Sequence, residues 1–256
     1  MIERFRVPTE TTAPDGYTNA YLADGPGGAV LVDPAGRTDA LDAAVAAHEV
    51  AHVAVTHAHP DHVGGVAAYA DRTGATVHAR LGHTDRFAAA TGRDPDDTFT
   101  EGDPIGSLTV LDTPGHAPDH VAFETTDGII CGDLAVATGS VAVAAPEGDL
   151  RAYIVALRRL YARDPPRLYP GHGPVIDDPR ATVCRLLAHR RERERRIVRA
   201  VDQGADTVDT VVAAAYDRDL SGVRDLAGGT VRAHLDKLAV EGGVRFDRET
   251  GRVEPS

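Results

Sequence analysis

Residues 57–62 read His57-Ala58-His59-Pro60-Asp61-His62, four side chains able to bind a metal within six positions. An isolated His-x-His in a soluble protein is usually a surface accident. This run is far more specific, because an Asp and a third His follow directly across a proline turn. Neutral imidazole nitrogen and carboxylate oxygen are the ligands of zinc and similar borderline ions. Without a cation, four such groups crowded together would waste hydrogen bonds and leave polar atoms poorly matched. His57 and His59 stand two apart, so in extended backbone they point the same way. The turn through Pro60 then carries Asp61 and His62 round to a second position. More groups of the same kind follow downstream. His116 closes Thr113-Pro114-Gly115-His116, Asp133 closes Ile129-Ile130-Cys131-Gly132-Asp133, and His172 sits in Leu168-Tyr169-Pro170-Gly171-His172-Gly173. Each follows an apolar run and has a glycine beside it, where the backbone must turn sharply or be approached closely.

The elements that must position these groups can be read from periodicity. Ala51 to Thr56 has the β-branched content of a buried strand, and Val63 to Ala70 has the look of a helix start, so the cluster sits on a tight loop where a strand ends. Strands are expected near 17–23, 28–32, 51–56, 75–79, 107–112, 119–125 and 128–132, and helices near 38–48, 63–73, 81–90 and 149–162. That alternation is an α/β pattern, two sheets faced by helices. Beyond it, a long helix from about Arg180 to Asp202, helices near 207–216 and 222–240, and a short hairpin through Gly242-Gly243-Val244 and Gly251-Arg252-Val253 are expected. Residues 1–180 carry 13 basic and 26 acidic side chains, whereas residues 181–256 carry 14 and 13. The shift supports a catalytic domain over 1–178 and a helical domain over 179–256.

With those residues in place, the chain resembles the metallo-β-lactamase superfamily, whose members carry this His-x-His-x-Asp-His run followed by a lone His, a lone Asp and a final His. The match spans roughly residues 17 to 178 with every ligand position present. The resemblance implies an αββα sandwich and two metal ions. One would be held by His57, His59 and His116, the other by Asp61, His62 and His172, with Asp133 bridging them. Leu31-Val32-Asp33-Pro34 matches an early family motif in which the Asp orients ligands. His120, four residues past His116, is either a similar supporting residue or a strand-start histidine with no catalytic part. The helical tail and hairpin resemble a winged helix, the arrangement of the branch containing the lactamase-β-like endoribonucleases. Tyr169 to Ile176 and Thr230 to Leu238 are similar to that branch. Hydroxyacylglutathione hydrolases share the metal core, but the basic residues that receive glutathione carboxylates have no match here.

Composition narrows the classes further. No apolar run approaches the ~18 residues a membrane helix requires, and the N-terminus has no apolar export core, so a cytoplasmic protein with no membrane partner is expected. Two cysteines, Cys131 and Cys184, make no disulfide framework, and Cys131 reads as a core thiol. Acidic residues outnumber basic ones 39 to 27, and Lys237 is the only lysine; this surface suits concentrated salt, although a GC-rich genome produces the same bias. The tail is nearly neutral, with Tyr216 and Phe246 as its only aromatics, whereas a nucleic-acid face normally shows basic excess and aromatic platforms. The run Arg190 to Arg196 therefore reads as a solvated helix face whose Glu192 and Arg196 pair four residues apart. Packing or homodimerisation is the competing role for such a tail.

Zinc lowers the pKa of bound water to about 7, so two zinc ions would make a hydroxide available for attack on a carbonyl or a phosphorus, with iron or manganese as alternative occupants of the same cage. Asp61, a ligand itself, is the nearest group to steer a proton. The expectation is a metal-dependent hydrolase acting on a small-molecule ester or thioester of the hydroxyacyl-thiol type, with its specificity set by loops such as 91–104 and 134–148. The alternatives are a phosphodiesterase on single-stranded RNA and an iron-dependent persulfide dioxygenase.

Overall fold

The computed structural model describes residues 1–11, 13, 15–217 and 220–256. A six-stranded sheet follows chain order: β1 (Ile2–Pro8), β2 (Tyr17–Ala23), β3 (Ala29–Val32), β4 (Val50–Ala54), β5 (Thr76–Arg80) and β6 (Asp97–Phe99). The first three are antiparallel and β3 to β6 run parallel. Parallel neighbours need crossovers, and these are α1 (Asp39–Ala47), the short α2 (Pro60–Val63) with α3 (Val66–Thr73), and α4 (Thr84–Thr91). A second sheet holds β7 (Pro104–Ile105), β8 (Leu108–Asp112), β9 (Val121–Thr125), β10 (Gly128–Gly132) and β11 (Leu168–Pro170), in the order β11-β10-β9-β8-β7. Only β10 and β11 pair parallel there, and Pro170, with no N–H to give, lies on the edge strand.

Period-two alternation decides which way each side chain points. Tyr21, Ala23, Val30 and Val32 enter a core shared with Val110, Val121, Phe123 and Ile130 of the second sheet. Their chain neighbours Ala20, Leu22, Ala29 and Leu31 enter another with Leu41 of α1, Val66 and Tyr69 of α3, and Phe87 of α4. Strands β2 and β3 are thus apolar on both faces, as covered sheets require. Each fully buried Leu, Ile, Val or Phe in these layers contributes about 1.5–3 kcal/mol. Cys131 is a core thiol, fully buried, and burial pushes its pKa up. The architecture is the α/β class expected. The strand β1 was not anticipated, nor were the short β6 and β7.

The chain divides into two compact units, the first comprising Met1–Thr113, Asp119–Gly139 and Arg163–Thr182, the second Pro114–Pro118, Ser140–Ala162 and Val183–Ser256. The single cut expected at 178/179 falls at the start of α6 (Pro179–Asp202). Two earlier segments cluster with the C-terminal part, however: the loop holding His116 and most of α5 (Leu150–Arg163). Within the second unit, α6, α7 (Val208–Ala215), α8 (Arg224–Val240) and the hairpin of β12 (Val244–Phe246) with β13 (Val253–Pro255) share a core of Ile197, Val201, Val212, Val231, Leu235 and Val253. Thr207 starts α7 with a capping box, its hydroxyl accepting from the amide of Thr210.

The Arg190 to Arg196 run is only in part the solvated face expected. Glu192 does pair with Arg195 at 3.5 Å and Arg196 at 3.4 Å. Arg190, by contrast, is buried, donates to the Val141 carbonyl and lies 4.9 Å from the Tyr153 ring centre. Its charge is retained indoors because a carbonyl and a π-face receive it. Glu194 turns to Lys237 of α8 at 2.7 Å. No described helix is long and apolar enough to cross a membrane.

Candidate metal centre

The expected site residues of the first unit gather at the carboxyl ends of strands. Asp33 follows β3, the 57–62 run follows β4, Asp133 follows β10 and His172 follows β11. Strand ends are where a packed sheet stops supplying partners for the backbone and loops can turn their side chains to a ligand. Past β4 the chain stays extended through His59, which stands at the N-cap of α2, and Pro60 occupies its first turn. The fixed φ of proline suits that position, and the turn carries Asp61 and His62 round so that the rings of His57 and His62 lie 4.2 Å apart. His57 Nε2 and His59 Nδ1 lie 2.9 Å apart.

Asp33 organises this end of the sheet. It is fully buried with a left-handed φ of 50°, a conformation Asp tolerates better than most residues. One carboxylate oxygen accepts the Thr56 amide at 2.6 Å; the other accepts the Thr56 hydroxyl at 2.7 Å and the Nδ1–H of His62 at 3.0 Å. His62 therefore turns Nε2 inward, 3.7 Å from Asp133 Oδ1. The ring of His172 is fixed in the same manner: its Nδ1–H donates to the Tyr17 carbonyl at 2.8 Å, leaving Nε2 at 3.5 Å from both Asp61 and Asp133. His120 is buried, bonds Thr113 Oγ1 through Nδ1 at 2.8 Å, and accepts the Asp133 amide on Nε2 at 3.0 Å. Both its nitrogens are engaged, so it supports Asp133 rather than facing a ligand. His116 lies in the second unit, where its Nδ1–H donates to the Ala142 carbonyl at 2.7 Å and Nε2 keeps its lone pair.

Several supporting residues escaped sequence reasoning. Asp119, buried, accepts the Ala58 amide at 2.8 Å and pairs with Arg86 of α4 at 3.0 Å, holding the loop between His57 and His59. Asn19 donates to the carbonyls of Pro170 and Gly173, and the Tyr21 hydroxyl also donates to Pro170, so the turn carrying His172 is tied to β2. The signal available was a polar Asn inside an otherwise apolar strand. Two glycines clear the space. A Cβ on Gly132, which has φ of 46°, would meet Thr56 Oγ1 at 2.6 Å; one on Gly171 would lie 2.6 Å from Asp133 Oδ1 and 2.7 Å from His62 Cε1.

The donor set fits metal ions. His57, His62 and Asp133, and likewise Asp61, His62 and His172, each bring one ligand atom within 4.8 Å of the others. The buried Nε2 of His62 has no hydrogen-bond partner among the described residues, an expense a cation removes. Burial works against a charged His172, yet Asp133, the Tyr17 carbonyl and Asp61 outweigh it and raise its pKa to about 9. His62 is likewise raised, Asp33 overcoming the effect of burial. With carboxylates on several sides, the pocket demands positive charge, whether proton or metal.

Comparison with known families agrees with this geometry. The family described as Metallo-beta-lactamase superfamily matches residues 13–172. The chain belongs to that superfamily. The superfamily typically binds metal ions, and this member is a hydrolase of the metallo-β-lactamase fold. Among its relatives, the Beta-lactamase-like protein 2 homolog of Drosophila melanogaster is 29% identical over 77% of this chain and 70% of its own length. The Atrochrysone carboxyl ACP thioesterase dmxR1 of Cryptosporiopsis sp. is 28% identical over 79% of this chain, which spans 66% of that protein. A metallo-beta-lactamase family protein from Thermus thermophilus shares the fold over 100% of this chain and 98% of its own, with a TM-score of 0.79 at 24% identity.

Proposed function

We propose that this superfamily member is a dizinc hydrolase that cleaves a small ester or thioester of the hydroxyacyl-thiol type. His57, His59 and His116 would hold one ion and Asp61, His62 and His172 the other, with Asp133 available as a further ligand. For the metal, the reading rests on the inward lone pairs of His62 and His172, each set by a hydrogen bond to the opposite ring nitrogen. For the substrate, the supporting observation is the thioesterase among its relatives, alignable over 79% of this chain. Zinc ions bound here would supply Lewis acidity and a hydroxide at neutral pH.

The protein's own contribution is orientation and proton handling. Asp33 keeps the His62 proton on Nδ1, so Nε2 stays a donor atom. His120 holds the backbone of Asp133, which fixes where its carboxylate points. The Asp119–Arg86 pair prevents the His57–His59 loop from drifting. Asp61, on the exposed side of the cage relative to His62, is the carboxylate best placed to take the nucleophile's proton and pass it to the departing thiolate.

The test is a paired assay on protein of measured metal content: hydrolysis of lactoyl-glutathione and other acyl thioesters beside cleavage of a labelled single-stranded RNA. The double variant Asp61→Ala, His62→Ala is the blank. Thioester turnover present in the native protein and lost in the variant is the expected result. RNA cleavage without thioester turnover, or iron with oxygen consumption, overturns it.

A further inference from the structure

The second unit contains a cavity of about 910 Å³ whose walls the metal centre does not use. One wall is a single face of α8: Asp225, Gly228, Gly229, Arg232, Asp236 and Lys237 recur at the three- and four-residue spacing of one helical side. The other walls are the segment 145–151, the start of α7 and the hairpin. Its size falls within that of small-molecule sites, roughly 300–1,000 Å³.

Two features of this wall lack a folding explanation. The first is Gly228. Glycine in a helix interior is unfavourable because it gives up the most backbone freedom. Its neighbour Gly229 is required by packing, since a Cβ there would meet the Ala145 carbonyl oxygen at 2.9 Å, and the Ala145 amide donates to its carbonyl. At Gly228 a Cβ would meet nothing within 4 Å. What its missing side chain leaves is open cavity.

The second feature is charge. Most ionic groups around the cavity are occupied: Arg248 pairs with Asp236 at 2.6 Å, and Lys237 with Glu194 and Glu241. The Asp149 carboxylate accepts the amides of Arg151 and Ala152. The guanidinium groups of Arg151, Arg224 and Arg232 have no ion pair and no side-chain hydrogen bond among the described residues, although Arg232 is half-buried. Arg151 and Arg224 are exposed and Arg232 half-buried, and all three line this one cavity. Glu147, Asp209 and Asp225 also line it, so it is a mixed site rather than a purely basic one.

We propose that this cavity binds an organic phosphate, its phosphoryl oxygens taken by the forked guanidinium groups of Arg151, Arg224 and Arg232 and its hydroxyl or amide N–H groups by Asp209 and Asp225. Planar guanidinium matches phosphate bidentately, and the carboxylates can accept from the hydroxyl or amide N–H groups of an organic ester, of which inorganic phosphate offers only its own P–OH. Nucleotides and phosphopantetheine thiols are two organic phosphates of about this size, and the experiment separates them. The proposal does not rest on the metal-centre reading.

The experiment is titration calorimetry on the full chain stripped of metal, with coenzyme A, adenosine 3′,5′-bisphosphate, pantetheine 4′-phosphate and inorganic phosphate as probes. At least one organic phosphate is expected to bind at least about tenfold more tightly than inorganic phosphate, and Arg232→Gln with Arg224→Gln to weaken it by a further factor of about ten or more. Binding of the bisphosphate identifies a nucleotide site, and binding of the pantetheine ester alone a carrier-arm site. Gly228→Leu projects a side chain into the cavity while favouring the helix, so it is expected to weaken binding with Tm maintained or raised, which separates loss of the site from loss of the fold. Failure of all organic probes to bind at about 1 mM, or affinity unchanged in both variants, overturns the proposal. Because metal is absent throughout, a negative result leaves the hydrolase reading intact, and loss of thioester turnover in an Asp61 variant leaves this one intact.

Discussion

Replacing Asp33 by Asn tests how the protein orients its candidate metal ligand His62. The change conserves volume, and Asn tolerates the left-handed φ of 50° as Asp does. What changes is one oxygen becoming an NH2 group. The amide oxygen can keep the Thr56 N–H, now at 2.6 Å. The NH2 then faces the Thr56 hydroxyl, which can rotate to accept, and Nδ1 of His62, which cannot accept while it carries a proton. His62 must move that proton to Nε2, the atom 3.7 Å from Asp133 and the one aimed into the cage. Loss of such an outer hydrogen bond costs about 10–100-fold in metal affinity, equivalent to about 1.4–2.7 kcal/mol. The assay is chelator competition on Asp33→Asn beside native protein, with the surface change Asp71→Asn as control. A weakened site with a folded, cooperative melt is expected. Affinity within about threefold of native, less than about 0.7 kcal/mol, would refute the claim that Asp33 sets the tautomer of His62.

Two further outcomes follow from the same geometry. Gly171→Ala places a methyl 2.6 Å from Asp133 Oδ1 and 2.7 Å from His62 Cε1; overpacking of this kind costs about 1–3 kcal/mol, and metal content measured by plasma emission is expected to fall with it. Burial first, and then the charges of Arg190, Arg193, His234 and Arg185, lower the pKa of His189 from 6.5 to about 4. Below pH 6.5 the unfolded chain takes up a proton that the folded chain refuses until about pH 4, so this stability is complete above 6.5 and drains away as pH falls through that window. His189 is only half-buried, and after discounting for solvent screening His189→Gln should reduce the loss between pH 7 and 5 by about 1 kcal/mol. Urea midpoints at the two pH values measure it, and identical acid sensitivity in the variant would contradict it.

How much was legible depended on the range of the interaction. The run of 57–62 is legible as a candidate ligand set because its residues are chain neighbours and Pro60 makes the turn local. Asp133 and His172 were readable because an apolar run and a glycine mark the end of a strand. β1 was not read, although Ile2–Pro8 pairs with β2 along its whole length. Its residues are half-exposed and short of the strong pattern that burial on both faces prints on β2 and β3. Arg190 was misread for a related reason. Its acceptor, the Val141 carbonyl, lies 49 residues away, and nothing beside Arg190 in the chain announces it.

The amino-acid sequence alone determined the α/β class, the identity of the ligand-type residues and the turn at Pro60, since each depends on neighbours within a few residues. Only the tertiary structure decided which nitrogen of each histidine faces inward, because that is set by distant acceptors: Asp33 for His62 and the Tyr17 carbonyl for His172. It also decided that the loop of His116 and most of α5 cluster with the C-terminal helices, and that Arg151 shares one cavity with Arg224 and Arg232 of α8. Those are outcomes of long-range packing, where a residue's partner is fixed by how sheets and helices close around it and leaves no periodic trace in the chain.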